Sequence, residues 1–172
     1  MKKKKLLIIL GIVICIGASF LYFLNLIPKG DTITSRERML NTAISKGNEW
    51  TIAKELEIEG YIISGAYSTD SKSTLAVFEP VGNGNYKFKN STNRNVEEII
   101  VGGTVINGEW YDLIWFCGVK TERAEITYTI NGQKKDTLLY DTGNMDIISI
   151  KNPDKEYSIH VAFYDSDGKM YE

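Results

Sequence analysis

Three tight-turn signatures constrain the fold of this chain more than any other feature. Asn107-Gly108 separates "VEEIIVGGTVI" from "EWYDLIWFCGV", and Asn131-Gly132 separates "AEITYTI" from a run ending "DTLLY". The tight segment "PVGNG" separates "TLAVFE" from "NYKFKN". Asn-Gly suits a two-residue hairpin turn because both of its central residues tolerate positive φ, which matches the twist of the flanking strands.

The runs between the turns carry the two-residue period of half-buried strands. "AEITYTI" puts Ala124, Ile126, Tyr128 and Ile130 on one face and Glu125, Thr127 and Thr129 on the other. In "WTIAKELEI", Trp50, Ile52, Leu56 and Ile58 share one phase. "YDLIWFCGV" is apolar in both phases and is expected in the middle of a sheet. "YIISGAY", "MDIISI", "YSIHVAFY" and a last "KMYE" after the turn "DSDG" complete the set. About ten short strands joined by tight turns predict a mainly β protein, built as an antiparallel β-sandwich.

Before this region stands a different kind of segment. Leu6 to Ile27 is apolar apart from Ser19, Tyr22 and Asn25. A helix needs about 20 such residues to cross the hydrocarbon core. A cleaved signal peptide has a shorter apolar stretch, and "FLYFLNLI" after Ser19 would make a poor mature N-terminus. Lipidation of Cys15 would need small residues before it, where the chain has Ile12, Val13 and Ile14. The reading is an uncleaved anchor over 6–27. Lys2–Lys5 stay in the cytoplasm by the positive-inside rule, and everything after Pro28 lies outside the plasma membrane. The lipid bilayer is then the first partner.

Residues 28–48 read as a linker and a short amphipathic helix. Thr34 is the expected cap, Glu37 the acid of a capping box, and Gly47 the stop. Met39, Leu40, Ala43 and Ile44 form its apolar face. The rest, 49–172, is the extracytoplasmic β domain. A division into two lobes, 49–106 and 109–172, stays open at this level.

The stretch "GVKTERAEITYTINGQ…DIISI…YSIHVAFYDSDGKMYE" resembles the bacterial immunoglobulin-like sandwich, over about the last third of the chain. The pattern is a strand ending in Gly-Val, an alternating strand ending at Asn-Gly, and "YDSDG" before the closing strand. The cysteine pair bracketing a Trp in antibody domains is missing. As a whole the chain is similar to small membrane-anchored extracytoplasmic proteins of bacteria with Lys-rich N-termini. The resemblance implies fold and place, and no functional residue.

Outside Lys2–Lys5 the chain has sixteen basic and twenty-two acidic residues, so nothing gives it the electrostatic footprint of a nucleic-acid binder. Cys15 and Cys117 are far apart in kind of environment and predict no disulfide. His160, the single histidine, has no cysteine cluster to make a zinc site and no nucleophile in an activating turn. It lies in opposite phase to Ile159, Val161 and Phe163. Cys117 reads as a small buried hydrophobe. Glu55, Glu57 and Glu59, ~7 Å apart along a strand, read as a solvated face that discourages edge pairing. Asp165 and Asp167 before Gly168 read as a turn. Gly82-Asn83-Gly84 is a hairpin tip.

The candidate ligand-binding residues are aromatic: Trp110, Tyr111 and Trp115. Exposed aromatics carry recognition, yet β cores are also built from them. Trp110 and Trp115 have opposite parity on one strand, so they point to opposite faces. The functional expectation is a non-enzymatic binding module facing the cell envelope, with an envelope protein or glycan as partner. No catalytic residue, cofactor or metal ligand is assigned. An envelope hydrolase using acidic residues and a structural accessory without a ligand are the alternatives.

Overall fold

A computed structural model describes residues 13, 15–17, 28–44, 47–94, 99–117, 122–141, 146–152 and 157–171. Among the described residues a 12-residue helix, α1 (Ile33–Ile44), precedes eleven strands. These are β1 (Trp50–Ile58), β2 (Tyr61–Ser68), β3 (Ser73–Gly82), β4 (Asn85–Arg94), β5 (Ile99–Ile106) and β6 (Glu109–Phe116). They continue as β7 (Arg123–Ile130), β8 (Gln133–Asp141), β9 (Ile147–Lys151), β10 (Tyr157–Tyr164) and β11 (Met170–Tyr171). Among the described residues no helix is long and apolar enough to cross a membrane. The basic tail and most of the proposed anchor, 6–27, lie outside the described residues; Val13 and Cys15–Gly17 are helical.

Every strand pairing is antiparallel, and the strands form three sheets with the orders β1-β2-β3-β4, β5-β6-β9 and β11-β10-β7-β8. The expected hairpin tips are present: Asn83-Gly84, Asn107-Gly108 and Asn131-Gly132 all have positive φ at both residues. A fourth such turn, Glu59-Gly60, carries φ of 48° and 83° without the Asn-Gly signature. Asn107-Gly108, where a lobe boundary was left open, is the tip of a hairpin whose strands pair from Ile106↔Glu109 to Ile99↔Phe116.

The sheets stack in layers, with β6 at the centre as its two apolar faces require. Its odd-numbered residues Tyr111, Leu113 and Trp115 join Ile58, Ile63, Leu75 and Val77 of the first sheet in one core. Its even-numbered Ile114 and Phe116 join Ala124, Ile126 and Tyr128 of β7 in a second, flanked by Ile159, Val161 and Phe163 of β10. The central part of β6 is therefore buried on both faces, while Val101, Val105 and Trp110 stay exposed on the face toward the third sheet. A third core, with Leu40, Trp50, Ala66 and Phe78, lies between α1 and the far face of the first sheet.

Strand β1 departs from simple alternation. Its pairing with β2 slips between Ile52 and Lys54, a β-bulge that reverses the facing of everything after it. Trp50 and Ile52 pack under α1, whereas Leu56 and Ile58 pack toward the middle sheet. The single apolar face read for these four residues is corrected by that extra residue. The bulge also turns Glu55 toward α1 and Lys54 away from it, where Lys54 Nζ lies 2.5 Å from Asp146 Oδ1 at the entry to β9.

Helix α1 starts two residues earlier than expected: Thr32, not Thr34, is the cap, its Oγ1 accepting from Ser35 N at 3.2 Å. Glu37 makes no capping box. Its Oε1 accepts from Ile52 N at 2.9 Å, on the free edge of β1. Asn41 completes that edge, its Oδ1 accepting from Trp50 N (2.7 Å) and its Nδ2 donating to Trp50 O (3.2 Å). On the opposite edge of the same sheet, Lys29 O accepts from Tyr86 N of β4 at 2.8 Å. The segment 28–44 is thus a strap that satisfies backbone groups on both outer strands, which would otherwise invite pairing with another chain. Met39, Leu40 and Ile44 pack on the sheet as expected, whereas Ala43 is exposed; Arg36, Glu37 and Asn41 complete the covered face.

Candidate binding site

Strand β6 leaves the Asn107-Gly108 turn with Trp110 on the face directed at the third sheet, but at the end where that sheet does not cover it. The indole is 44% exposed. It is nonetheless fixed. Its Nε1 donates to Asp112 Oδ1 at 3.0 Å, two residues along the same face. Its ring lies against Gly103 of β5, where a Cβ would stand 2.2 Å from Cζ2, so only glycine permits this seat. The Trp110 carbonyl accepts from Asn152 N at 2.9 Å, holding the backbone to the segment after β9.

Asp112 is a junction. Its Oδ2 accepts from the Tyr157 hydroxyl at the start of β10, and Tyr157 also lines a shallow cleft of about 300 Å³ with Thr129, Asn131, Gly132 and Ser158. The hydroxyl of Tyr128 is buried and has no hydrogen-bond partner among the described residues; Asp112, Tyr140 and Tyr157 are the charged or ionisable groups within its electrostatic reach. The arrangement presents a held aromatic surface, a carboxylate beside it and a cleft lined by hydroxyl and amide groups.

Of the three aromatic candidates, only Trp110 is available to a ligand. Trp115 is fully buried in the first core, with its ring centroid 4.8 Å from that of Tyr67. Tyr111 is 6% exposed and donates to Glu59 Oε1 at 2.7 Å, tying the Glu59-Gly60 turn to the middle sheet. Both are structural, because the odd face of β6 meets the first sheet. Asp112 could have been found from its parity with Trp110. Tyr157 could not, since its position depends on how the third sheet is laid against the second.

The remaining candidates disperse. His160 is exposed on the outer face of the third sheet opposite Thr127, and lines neither the Tyr157 cleft nor a second groove. That groove, about 480 Å³, lies between Leu139, Asp141 and Asp165, where the Arg123 guanidinium sits 4.4 Å over the Tyr164 ring. Cys117 is buried in the first core, its carbonyl accepting from the Tyr67 hydroxyl at 2.6 Å. Asp165 Oδ1 accepts from Asp167 N (3.0 Å) and Lys169 N (2.8 Å), the geometry of a hairpin turn. The three glutamates do not share a solvated face. Glu55 is half-buried against Arg36, and Glu59 sits in the turn, held below the usual carboxylate range by the Tyr111 hydroxyl and then the Asn107 amide.

Burial and carboxylate neighbours also leave an alkaline signature. The Tyr111 phenol is pushed up to about 12 by its bond to Glu59 and by burial. Tyr67 rises to about 12 chiefly by burial, Tyr157 to about 12 by burial and then its bond to Asp112, and Tyr128 rises by burial. An unfolded tyrosine titrates near ~10. Folded values above that mean the neutral phenols stabilise the fold fully below pH ~10, and that this contribution is lost as pH rises toward 12. The urea midpoint is expected to be flat below pH ~9 and to fall steeply between ~10 and ~12, with phenolate absorbance rising alongside unfolding. Complete phenol titration near pH ~10 with the fold intact would contradict this.

No protein-family model matches the sequence, and comparison with curated proteins and with solved structures finds no match.

Proposed function

We propose that this chain is a single-pass, membrane-anchored binding module of the cell envelope. Its N-terminus is cytoplasmic, its β domain faces outward, and it recognises an envelope component through the surface around Trp110. The observation that carries the reading is the half-exposed Trp110, held in place by Gly103 and Asp112. A large side chain fixed before binding loses little conformational freedom on contact, which is how aromatic anchors reach high affinity.

Two further features support the reading. Strands β5 to β11 form two sheets, β5-β6-β9 and β11-β10-β7-β8. With the strands lettered A to G, and β8 as C′, this order is compatible with the A-B-E against G-F-C-C′ arrangement of an immunoglobulin-like sandwich, with no strand D among the described residues. Of the three strand glutamates, Glu55 has a structural partner in Arg36 and Glu59 in Tyr111, while Glu57 is exposed. In this reading the domain stands on the bilayer rather than on a tether. Lys29, two residues beyond the proposed span, is already bonded to β4, and one residue reaches at most ~3.5 Å.

Protease applied to intact cells, with the outer wall opened, is expected to remove a C-terminal epitope and spare an N-terminal one. Protection of the C-terminal epitope until the membrane is lysed would reverse the orientation and with it the envelope-facing role.

A further inference from the structure

From the chemistry of the Trp110 surface we infer that its ligand is a sugar ring, uncharged or carrying an amine, in a carbohydrate chain of the envelope. The inference deepens the binding reading above and rests on it. A pyranose presents one face of C–H bonds and a rim of hydroxyls. The indole face is the electron-rich surface that such C–H groups pack on. The rim needs acceptors and donors at a short distance, and Asp112 supplies the acceptors. An ionised carboxylate has about four lone-pair positions. Trp110 Nε1 and the Tyr157 hydroxyl occupy one on each oxygen. The positions left over suit a ligand hydroxyl or ammonium.

Tyr157 ties this platform to the third sheet, on whose outer face Thr129 and Ser158 line the cleft. Among the described residues that line the cleft none is basic. With Asp112 beside the platform and an acidic excess outside Lys2–Lys5, an anionic sugar or phosphate would be repelled. Trp110 and Asp112 therefore form the contact for one residue of a neutral or amino-sugar chain.

The three tryptophans make the test selective. Trp50 is 5% exposed and Trp115 0%, so a neutral quencher such as acrylamide reports mainly on Trp110. The experiment uses the full-length chain in a zwitterionic detergent without a sugar headgroup, titrated with the tetramer of N-acetylglucosamine, its de-acetylated amine form, and tetragalacturonate as anion. Either of the first two is expected to protect the fluorescence saturably, and tetragalacturonate is not. Gly103→Ala keeps the fluorophore but displaces the indole from its seat. Asp112→Asn removes the carboxylate. Each is expected to weaken protection at least about tenfold, with far-UV circular dichroism unchanged.

Failure of both the neutral and amine forms to protect, or equal protection in Gly103→Ala, overturns the sugar assignment. Retention on isolated envelopes that is lost after protease but not after glycan digestion also overturns it, in favour of a protein partner. That last result would leave the binding-module reading standing, whereas the failed protease-shaving result would not.

Discussion

Replacing Glu55 with alanine is expected to destabilise the β domain by about 3–5 kcal/mol, because it strands a buried charge. The Arg36 side chain is 8% exposed and its guanidinium is held on three sides. Nε donates to Glu55 Oε1 at 2.7 Å, Nη2 to Oε2 at 2.6 Å, and Nη1 to Gly30 O at 2.5 Å, with the Tyr86 ring 5.7 Å from Cζ. Glu55 also accepts from the fully buried Ser64 hydroxyl at 2.8 Å, so a second polar group loses its partner in the same substitution. A domain of this size has a total stability of about 5–15 kcal/mol, so the loss is a large fraction of it. The urea midpoint should fall by roughly 1–3 M.

The ion pair also fastens the strap. Once it is gone, Glu37 and Asn41 hold the edge of β1 alone, and early proteolysis between 30 and 44 is expected. Replacing both partners by apolar groups, Arg36→Met with Glu55→Leu, should recover most of the stability, since the cost lies in the unpaired charge. An unchanged midpoint in Glu55→Ala would mean that the pair carries no net stabilisation and that the strap is held by its backbone contacts.

How far the sequence revealed this architecture depends on whether a signal was local. The Asn-Gly turns were legible because the two residues that need positive φ are adjacent and chemically marked. Ala124, Ile126 and Tyr128 were legible as a core face because β7 pairs with β10 without a register shift along its whole length. The bulge in β1 was not, since Ala53 carries no mark and the apolar residues on either side keep even spacing while changing sheet face. Helix α1 was found with Met39, Leu40 and Ile44 on its buried face, but its cap, Ala43 and the polar part of that face were misjudged. Glu37 and Asn41 look like solvated helix residues until a strand edge is placed beside them. At the candidate site, Trp110 could be singled out, and its parity with Asp112 was available in the sequence. That Trp115 is core while Trp110 is not depends on a glycine in another sheet.

That glycine is the subject of the second large effect. Gly65→Ala is expected to destabilise the fold by about 3 kcal/mol or more, although Gly65 lies in a strand where alanine costs nothing in backbone conformation. An ideal Cβ at 65 would stand 2.4 Å from Trp115 Cε2 and 2.6 Å from Cδ2. Neither side can yield. Trp115 has no exposed surface and packs against the Tyr67 ring, whose hydroxyl is bonded to the Cys117 carbonyl. The middle sheet that carries Trp115 is itself backed by the second core, so moving the indole means parting the first sheet from the second. Trp115→Ala alone should cost about 3–5 kcal/mol through the cavity it leaves. The double variant Gly65→Ala with Trp115→Leu separates the two causes: if the clash is the reason, its loss should be smaller than the sum of the single losses, because the new methyl enters space the indole vacates. Strict additivity in urea denaturation would show that Gly65 acts through something other than contact with Trp115. The contrast with Gly103→Ala then follows from exposure alone. The same close approach of a glycine to an indole should threaten the fold at 65, where the ring is enclosed, and only the ligand surface at 103, where the ring can swing into solvent.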